Sequence, residues 1–253
     1  MGQQTMDDKR VSVDIDSAGV ATVTMTRGTQ HNALDGPMIA ALLASAEQLH
    51  RDSRVRAVVL RGDGESFCAG LDVKHFLQKP DNIDDLLVRA PGEVANLAQR
   101  VSYDWHRLPV PVIAAITGNC FGGGLQIALG ADIRVAAPDA RLSIMEVRWG
   151  LVPDMGITQS ISKVVGIDVA KELTFTGRIL SGSEAKDLHL ITHAVDDPYA
   201  YAQELAHDIA SRPPKAVRAA KRLFNEAWTA DPATGLAMET DLQRDLLVDL
   251  ESR

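Results

Sequence analysis

Thr117-Gly118-Asn119-Cys120-Phe121-Gly122-Gly123-Gly124-Leu125-Gln126-Ile127-Ala128-Leu129 decides the fold class of this chain. The residues just before it, Val110, Val112, Ile113, Ala114, Ala115 and Ile116, form an apolar run that reads as a buried strand. The residues after the glycines, from Leu125 to Leu129, read as a helix. A strand therefore feeds a glycine-rich turn, and the turn feeds a helix N-terminus. The first N–H groups of a helix have no partner inside it, and its dipole favours negative charge there. Three consecutive glycines let a ligand approach the backbone closely. Such a place holds an anion, either a phosphate or a developing oxyanion. The pattern Thr117-Gly118-xxx-Gly122-x-Gly124 also fits a nucleotide-binding glycine motif of short-chain dehydrogenases. That motif follows the first strand of its fold, whereas here more than a hundred residues precede it. Those enzymes also need a Tyr four residues before a Lys. Tyr103, Tyr199 and Tyr201 are followed at that spacing by Arg107, Gln203 and Leu205.

Working outward toward the N-terminus, strands and helices alternate. Val11 to Asp16 and Val20 to Thr26 alternate apolar and polar residues around Ser17-Ala18-Gly19, which reads as a β-hairpin. Met38, Ala41, Leu42, Ser45 and Leu49 share a helical face, with Pro37 near its start. Val55 to Leu60 reads as a strand running into the turn Arg61-Gly62-Asp63-Gly64-Glu65-Ser66. Phe67-Cys68-Ala69-Gly70-Leu71-Asp72-Val73-Lys74 is a small-residue turn leading to another helix. Residues 79–85 read as a surface loop, and residues 93–108 as a helix ended by Pro109. Toward the C-terminus, residues 131–136 and 141–145 read as strands, and 157–165 and 169–175 as helices. Helices over 200–211, 215–229 and 234–250 form a tail whose apolar stripes, Leu223, Ala227, Leu236, Leu242 and Leu246, need a cover. The pattern is α/β with a helical tail, and no tandem repeat has a residue signature.

Composition excludes several classes. The 253 residues are 45% hydrophobic and 24% charged, ordinary for a globular chain. A net charge of −8 argues against a nucleic-acid or anionic-membrane partner. No apolar run reaches the roughly 18 residues that suggest a membrane span. The polar start, Met1 to Arg10, has no signal-peptide core, and two cysteines are too few for a disulfide framework, so a cytoplasmic setting is expected. The seven histidines show no metal-ligand spacing.

Four segments in order resemble the crotonase, or enoyl-CoA hydratase/isomerase, family: His31-Asn32-Ala33-Leu34, Phe67 through Val73, Gly118 through Gly124, and Glu146 through Gly156. The resemblance spans nearly the whole chain. It implies a crotonase-like spiral of ββα units over residues 1–195 and a C-terminal helical trimerisation region over 196–253. It implies an acyl-CoA substrate in fatty-acid metabolism, with coenzyme A as part of the substrate and no further cofactor. It also implies a homotrimer or a dimer of trimers. By position, it places an oxyanion hole at the backbone N–H groups of Leu71 and Gly123. Two preorganised donors aimed at an enolate oxygen stabilise the transition state more than the ground state, each typically by about 2.7–4 kcal/mol. The same resemblance puts Ala33, Ala69, Asp72, Val73, Lys74 and Gly122 around the substrate.

The catalytic side chains depart from the hydratase pattern. Family hydratases use two glutamates, at the positions of Gln126 and Glu146. An amide is not a practical acid or base at neutral pH. Dienoyl-CoA isomerases of the family carry an aspartate at the position of Asp154, though also an acid at that of Gln126. Isomerases that bring a β,γ double bond into conjugation manage with one glutamate, at the position of Glu146. The expectation is therefore double-bond isomerisation, with Glu146 moving a proton, alone or through Asp154, and with Gln126 orienting substrate or a water. Burial beside an apolar acyl pocket would raise the pKa of Glu146. A hydratase using Glu146 and a water held by Gln126 is one alternative, and a catalytically silent acyl-CoA binding protein is another. Plainer roles compete. Asp154 fits a turn or cap, Asp72 a cap for the helix that follows, Asn32 a loop hydrogen-bonder and Lys74 a solvated lysine. Asp132 fits a structural contact at a strand start, and Cys68 and Cys120 fit packing. Arg148 and Trp149 fit either an acyl pocket or a subunit contact.

Overall fold

The computed structural model describes residues 9–73 and 86–251. Lys74, the loop expected over 79–85 and the start of the helix expected after Val73 lie outside the described residues. Strands β1 (Val11–Ile15) and β2 (Val20–Met25) form the expected antiparallel hairpin. Strands β3 (Ala57–Gly62), β4 (Val112–Ile116), β6 (Ile133–Ala136) and β9 (His193–Ala194) add in parallel, giving the order β1-β2-β3-β4-β6-β9. A second sheet contains β5 (Asn119–Phe121), β7 (Arg141–Ser143) and β8 (Leu180–Ser181), in the order β5-β7-β8.

The two sheets reveal a repeat that the residues hide. One strand enters the large sheet, the next enters the small one, and a helix follows. β4 and β5 lead into α3 (Gly123–Leu129), and β6 and β7 lead on to α4 (Ile167–Thr176). Residues after β3 obey the same rule, since Cys68 bridges Cys120 in parallel. The inner strands β3, β4 and β6 are buried on both faces, which explains their largely apolar runs. Val58, Leu60, Val112, Ala114 and Ile116 pack into the main core with α1 (Gly36–Arg51) and α2 (Leu97–Arg107). Ala57, Val59, Ile113, Ala115 and Val135 face the other way, onto Ala202, Ala206 and Ala210 of α6 (Pro198–Ser211). Small residues at four-residue spacing form one stripe of that helix and let it lie close to the strands.

Local chemistry sets the boundaries. Asp35 caps α1 by accepting from Met38 N–H. α2 begins at Leu97, later than the periodicity predicts, because Asn96 and Gln99 form a capping box there. The helix expected over 157–165 is instead two 3-10 turns, Ile157–Gln159 and Ile161–Lys163. Ser160 Oγ bonds back to Ile157 O at 3.1 Å, and Ser160, Lys163 and Val164 N–H each bond three residues back. That pattern favours tight turns over an α-helix. The strand expected over 141–145 stops at Ser143, since Glu146–Trp149 coils into a further 3-10 turn ended by Gly150. Conversely, the glycine-rich turn holds a strand, β5, in its middle.

Between them α5 (Gly182–Asp187) precedes β9, and the tail ends in α7 (Pro214–Ala227) and α8 (Pro232–Glu251). Phe224, Trp228 and Leu236 on these last helices are exposed. No described helix is long and apolar enough to cross a membrane.

Candidate active site

The site is built where three backbone segments run side by side. Residues 67–71 lie between the Leu34 segment and β5. On one side, Cys68 N–H donates to Asn119 O and Phe121 N–H to Cys68 O, both at 3.0 Å. On the other, Leu34 N–H donates to Gly70 O at 2.8 Å and Asp72 N–H to Leu34 O at 3.0 Å. In a parallel bridge of this kind the N–H of the middle residue, Leu71, points away from Leu34. The Cys68–Cys120 bridge sets residues 67–71 beside the start of the glycine turn. Gly70 confirms the closeness. It sits at φ +86°, and a methyl group there would meet Phe121 O at 2.7 Å and Gly123 N at 3.5 Å. Gly122 turns the chain from β5 into α3 at φ +50° and ψ −120°, a backbone that suits glycine. Among the described residues, neither Leu71 N–H nor Gly123 N–H donates a hydrogen bond within the protein.

The carboxylate comes from the 3-10 turn after β7. Glu146 stands over the glycine turn, where a methyl on Gly122 would lie 3.3 Å from its Oε1. Gln126, one turn into α3 and 1% exposed, donates from Nε2 to Glu146 Oε1 at 2.6 Å. Its own Oε1 accepts the Met155 N–H at 2.8 Å. A backbone N–H only donates, so the amide oxygen must face Met155 and the NH2 must face Glu146. Glu146 Oε2 is buried without a hydrogen-bond partner in the protein. Burial raises the pKa of Glu146, and the nearby charge of Asp154 adds to the rise. Asp154 is itself raised by desolvation, although its side chain is exposed at the mouth of the site. Met155 closes the floor, since its sulfur lies 2.7 Å from where a methyl on Gly123 would be.

The remaining predicted residues divide. Ala69 and Val73 are half-buried beside this turn, and Ala33 precedes the bridging Leu34. Asp72 is engaged by Arg27, whose Nη1 donates to its Oδ2 at 2.8 Å. Asn32 is the expected loop hydrogen-bonder. It is fully buried, accepts from Arg27 N–H, and donates to Asp63 O and Ser66 O. Asp132 holds Val112 N–H at 2.7 Å, at the strand start where it was expected. Cys68 and Cys120 are buried, and burial pushes the Cys68 thiol up to about 12 and that of Cys120 well above its usual value, so both are inert packing residues. Trp149, Leu151 and Val152, on the segment between Glu146 and Asp154, are exposed. No group of three metal-ligating side chains occurs among the described residues. Sequence reasoning missed two parts: the Met155 N–H that orients Gln126, and Arg27. Neither carries a local signal, because both act through contacts made only in the folded chain.

Two N–H groups beside a buried carboxylate can polarise a carbonyl oxygen and move a proton next to it. That is the class of site the fold presents. Comparison with known proteins agrees. The model of the family described as "Enoyl-CoA hydratase/isomerase" matches residues 16–253. Mouse mitochondrial methylglutaconyl-CoA hydratase is 34% identical, over 93% of this chain and 76% of its own. The short-chain-enoyl-CoA hydratase of Clostridium acetobutylicum is 35% identical, over 88% and 84%. Among solved structures, the enoyl-CoA hydratase of Bacillus anthracis superposes with a TM-score of 0.86 at 32% identity, over 94% of this chain and 91% of that one. A Thermobifida fusca protein solved in complex with acetoacetyl-CoA gives 0.83 at 29% identity, over 96% and 97%. The chain belongs to the enoyl-CoA hydratase/isomerase, or crotonase, family, has its fold, and is an enzyme of that family.

Proposed function

We propose that this enzyme moves a double bond within an unsaturated acyl-CoA by proton transfer at carbon. The N–H groups of Leu71 and Gly123 hold the thioester oxygen. Glu146 takes a proton α to the carbonyl, through Oε2, and the proton returns further along the chain from Glu146 or through Asp154. The Thermobifida fusca complex supports an acyl-CoA ligand. Ala33, Ala69, Val73 and Gly122 line its path. The chemistry uses side chains and amides alone.

The fixed amide of Gln126 carries this reading. Both of its polar atoms are engaged, one by Met155 N–H and the other by Glu146 Oε1. So held, it orients the carboxylate rather than a water, and it cannot exchange a proton. Water addition would then have to draw both its base and its acid from Glu146 and Asp154. Hydration remains the second reading, favoured by the names of the relatives.

The test is incubation with a 2-enoyl-CoA and a 3-enoyl-CoA in deuterated water, read by mass spectrometry. Deuterium gain with double-bond migration is the expected result. A 3-hydroxyacyl-CoA as the main product would overturn the isomerase reading in favour of hydration. No change in either substrate would overturn both.

A pH profile follows from the same geometry. As a base, Glu146 must be ionised in the free enzyme, so kcat/KM falls as pH drops through its pKa, which burial raises from the usual glutamate value. The Gln126 hydrogen bond opposes that rise. Gln126→Met should therefore move the acid limb to higher pH. An unmoved limb would show that Gln126 does not act on the proton-transfer group.

A further inference from the structure

We propose that Arg27 is a positioning residue for the Leu71 N–H, acting by clamping the bridge that presents it. The proposal rests on the reading that this N–H binds the substrate carbonyl. Arg27 follows β2, and its backbone N–H is fixed by Asn32 Oδ1 at 2.9 Å. From that root the guanidinium reaches both sides of the Leu34–Leu71 bridge. Nη1 donates to Ala33 O at 3.0 Å on one strand and to Asp72 Oδ2 at 2.8 Å on the other. Ala33 and Asp72 each flank a bridging residue, so one planar group spans the pair.

A second carboxylate steadies the clamp. Arg27 Nε lies 3.6 Å from Asp35 Oδ2, and Asp35 also caps α1 and pairs with Arg10 at 3.1 Å. The bland alternative is a surface ion pair, which contributes little. Arg27 and Asp72 are each only 18% exposed at the side chain, and Asp35 is 3%. Arg27 also bonds to backbone as well as to charge. The bridge it spans is the one whose geometry turns Leu71 N–H away from Leu34. A guanidinium with fixed donors suits this role better than a flexible ammonium.

The experiment measures the carbonyl stretch of a 2-enoyl-CoA, 13C-labelled at the thioester carbonyl, free and bound to the full-length enzyme. Wild type should shift the band to lower frequency, as a carbonyl held by N–H donors does. Arg27→Met should lose much of that shift and lower kcat about 10- to 100-fold, the scale of a small misplacement in a positioned site. Its dissociation constant for the CoA ligand should change little, and Arg27→Lys should fall between. Asp72→Ala removes the acceptor on the other side of the clamp and should reduce the shift too, which covers the case in which Arg27→Met does not fold. No shift in wild type would remove the carbonyl-binding reading, and this proposal with it. A wild-type shift kept in full by folded Arg27→Met or Asp72→Ala would overturn the role of Arg27 alone. A merely structural residue would lower the melting temperature and leave the band of the folded protein in place.

Discussion

Replacing Glu146 by Gln should lower kcat by about 10²- to 10⁴-fold, the range for losing a general acid–base. The substitution is nearly isosteric, and Gln126 Nε2 can still donate to its side-chain oxygen, so the turn over Gly122 should keep its shape. What disappears is the proton carried at Oε2. That oxygen is buried and without a protein partner, so no other group takes over its place. On the proposed reading the ligand is held by the backbone of residues 69–73 and 122–123, so CoA affinity should stay close to wild type. Steady-state rates and a calorimetric dissociation constant check both halves. Turnover near wild type would remove Glu146 from the chemistry altogether. Asp154→Asn sharpens the reading. If the proton passes through Asp154, migration of the double bond slows while α-deuterium exchange survives. If Glu146 carries it alone, both survive.

The part of this site legible in the sequence is the part written in consecutive residues. Glycine at 70 and 122–124 is demanded by positive φ or by the close approach of neighbouring backbone or side chains, and so it stands out as a motif. The buried strands declare themselves because the inner strands of the large sheet are largely apolar on both faces. β5 does not, since Asn119–Phe121 is too short for any alternation and its pairing with β7 is set by residues twenty-two positions away. Gln126 stood out as a departure from a two-glutamate pattern, but what it does is fixed by Met155, twenty-nine residues on. The reading of residues 157–165 failed for a local reason. Their apolar spacing fits an α-helix and a pair of 3-10 turns equally, and Ser160 tips the balance through a bond invisible to periodicity.

Lys221 shows the same limit most sharply, and removing it should have the largest effect on stability. On an amphipathic helix a lysine reads as solvated, yet it is the one buried residue of α7, with 6% of its side chain exposed. Its Nζ donates to Val110 O at 2.9 Å and Asp132 Oδ2 at 2.8 Å, and approaches Trp105 O at 3.5 Å. One ammonium thus meets the end of α2, the residue pair leading into β4, and the carboxylate that opens β6. It is also where the tail grips the core, together with Arg218, which donates to Val55 O, and Asn225, which donates to His106 O. Lys221→Met would leave a partly buried carboxylate and two carbonyls without their cation. Breaking such a pair typically costs about 3–5 kcal/mol, or roughly 6–20 °C in melting temperature for a chain of this size. Adding Asp132→Asn removes the orphaned charge and should recover part of the loss. Recovery in the double variant would mean that the charge is what the lysine answers. If the core melts as before while a protease cuts ahead of α7, the tail is a separate unit and the pair only tethers it. One cooperative transition, shifted down, would instead make the tail part of the fold that holds β4, and with it the strand that leads into the glycine turn.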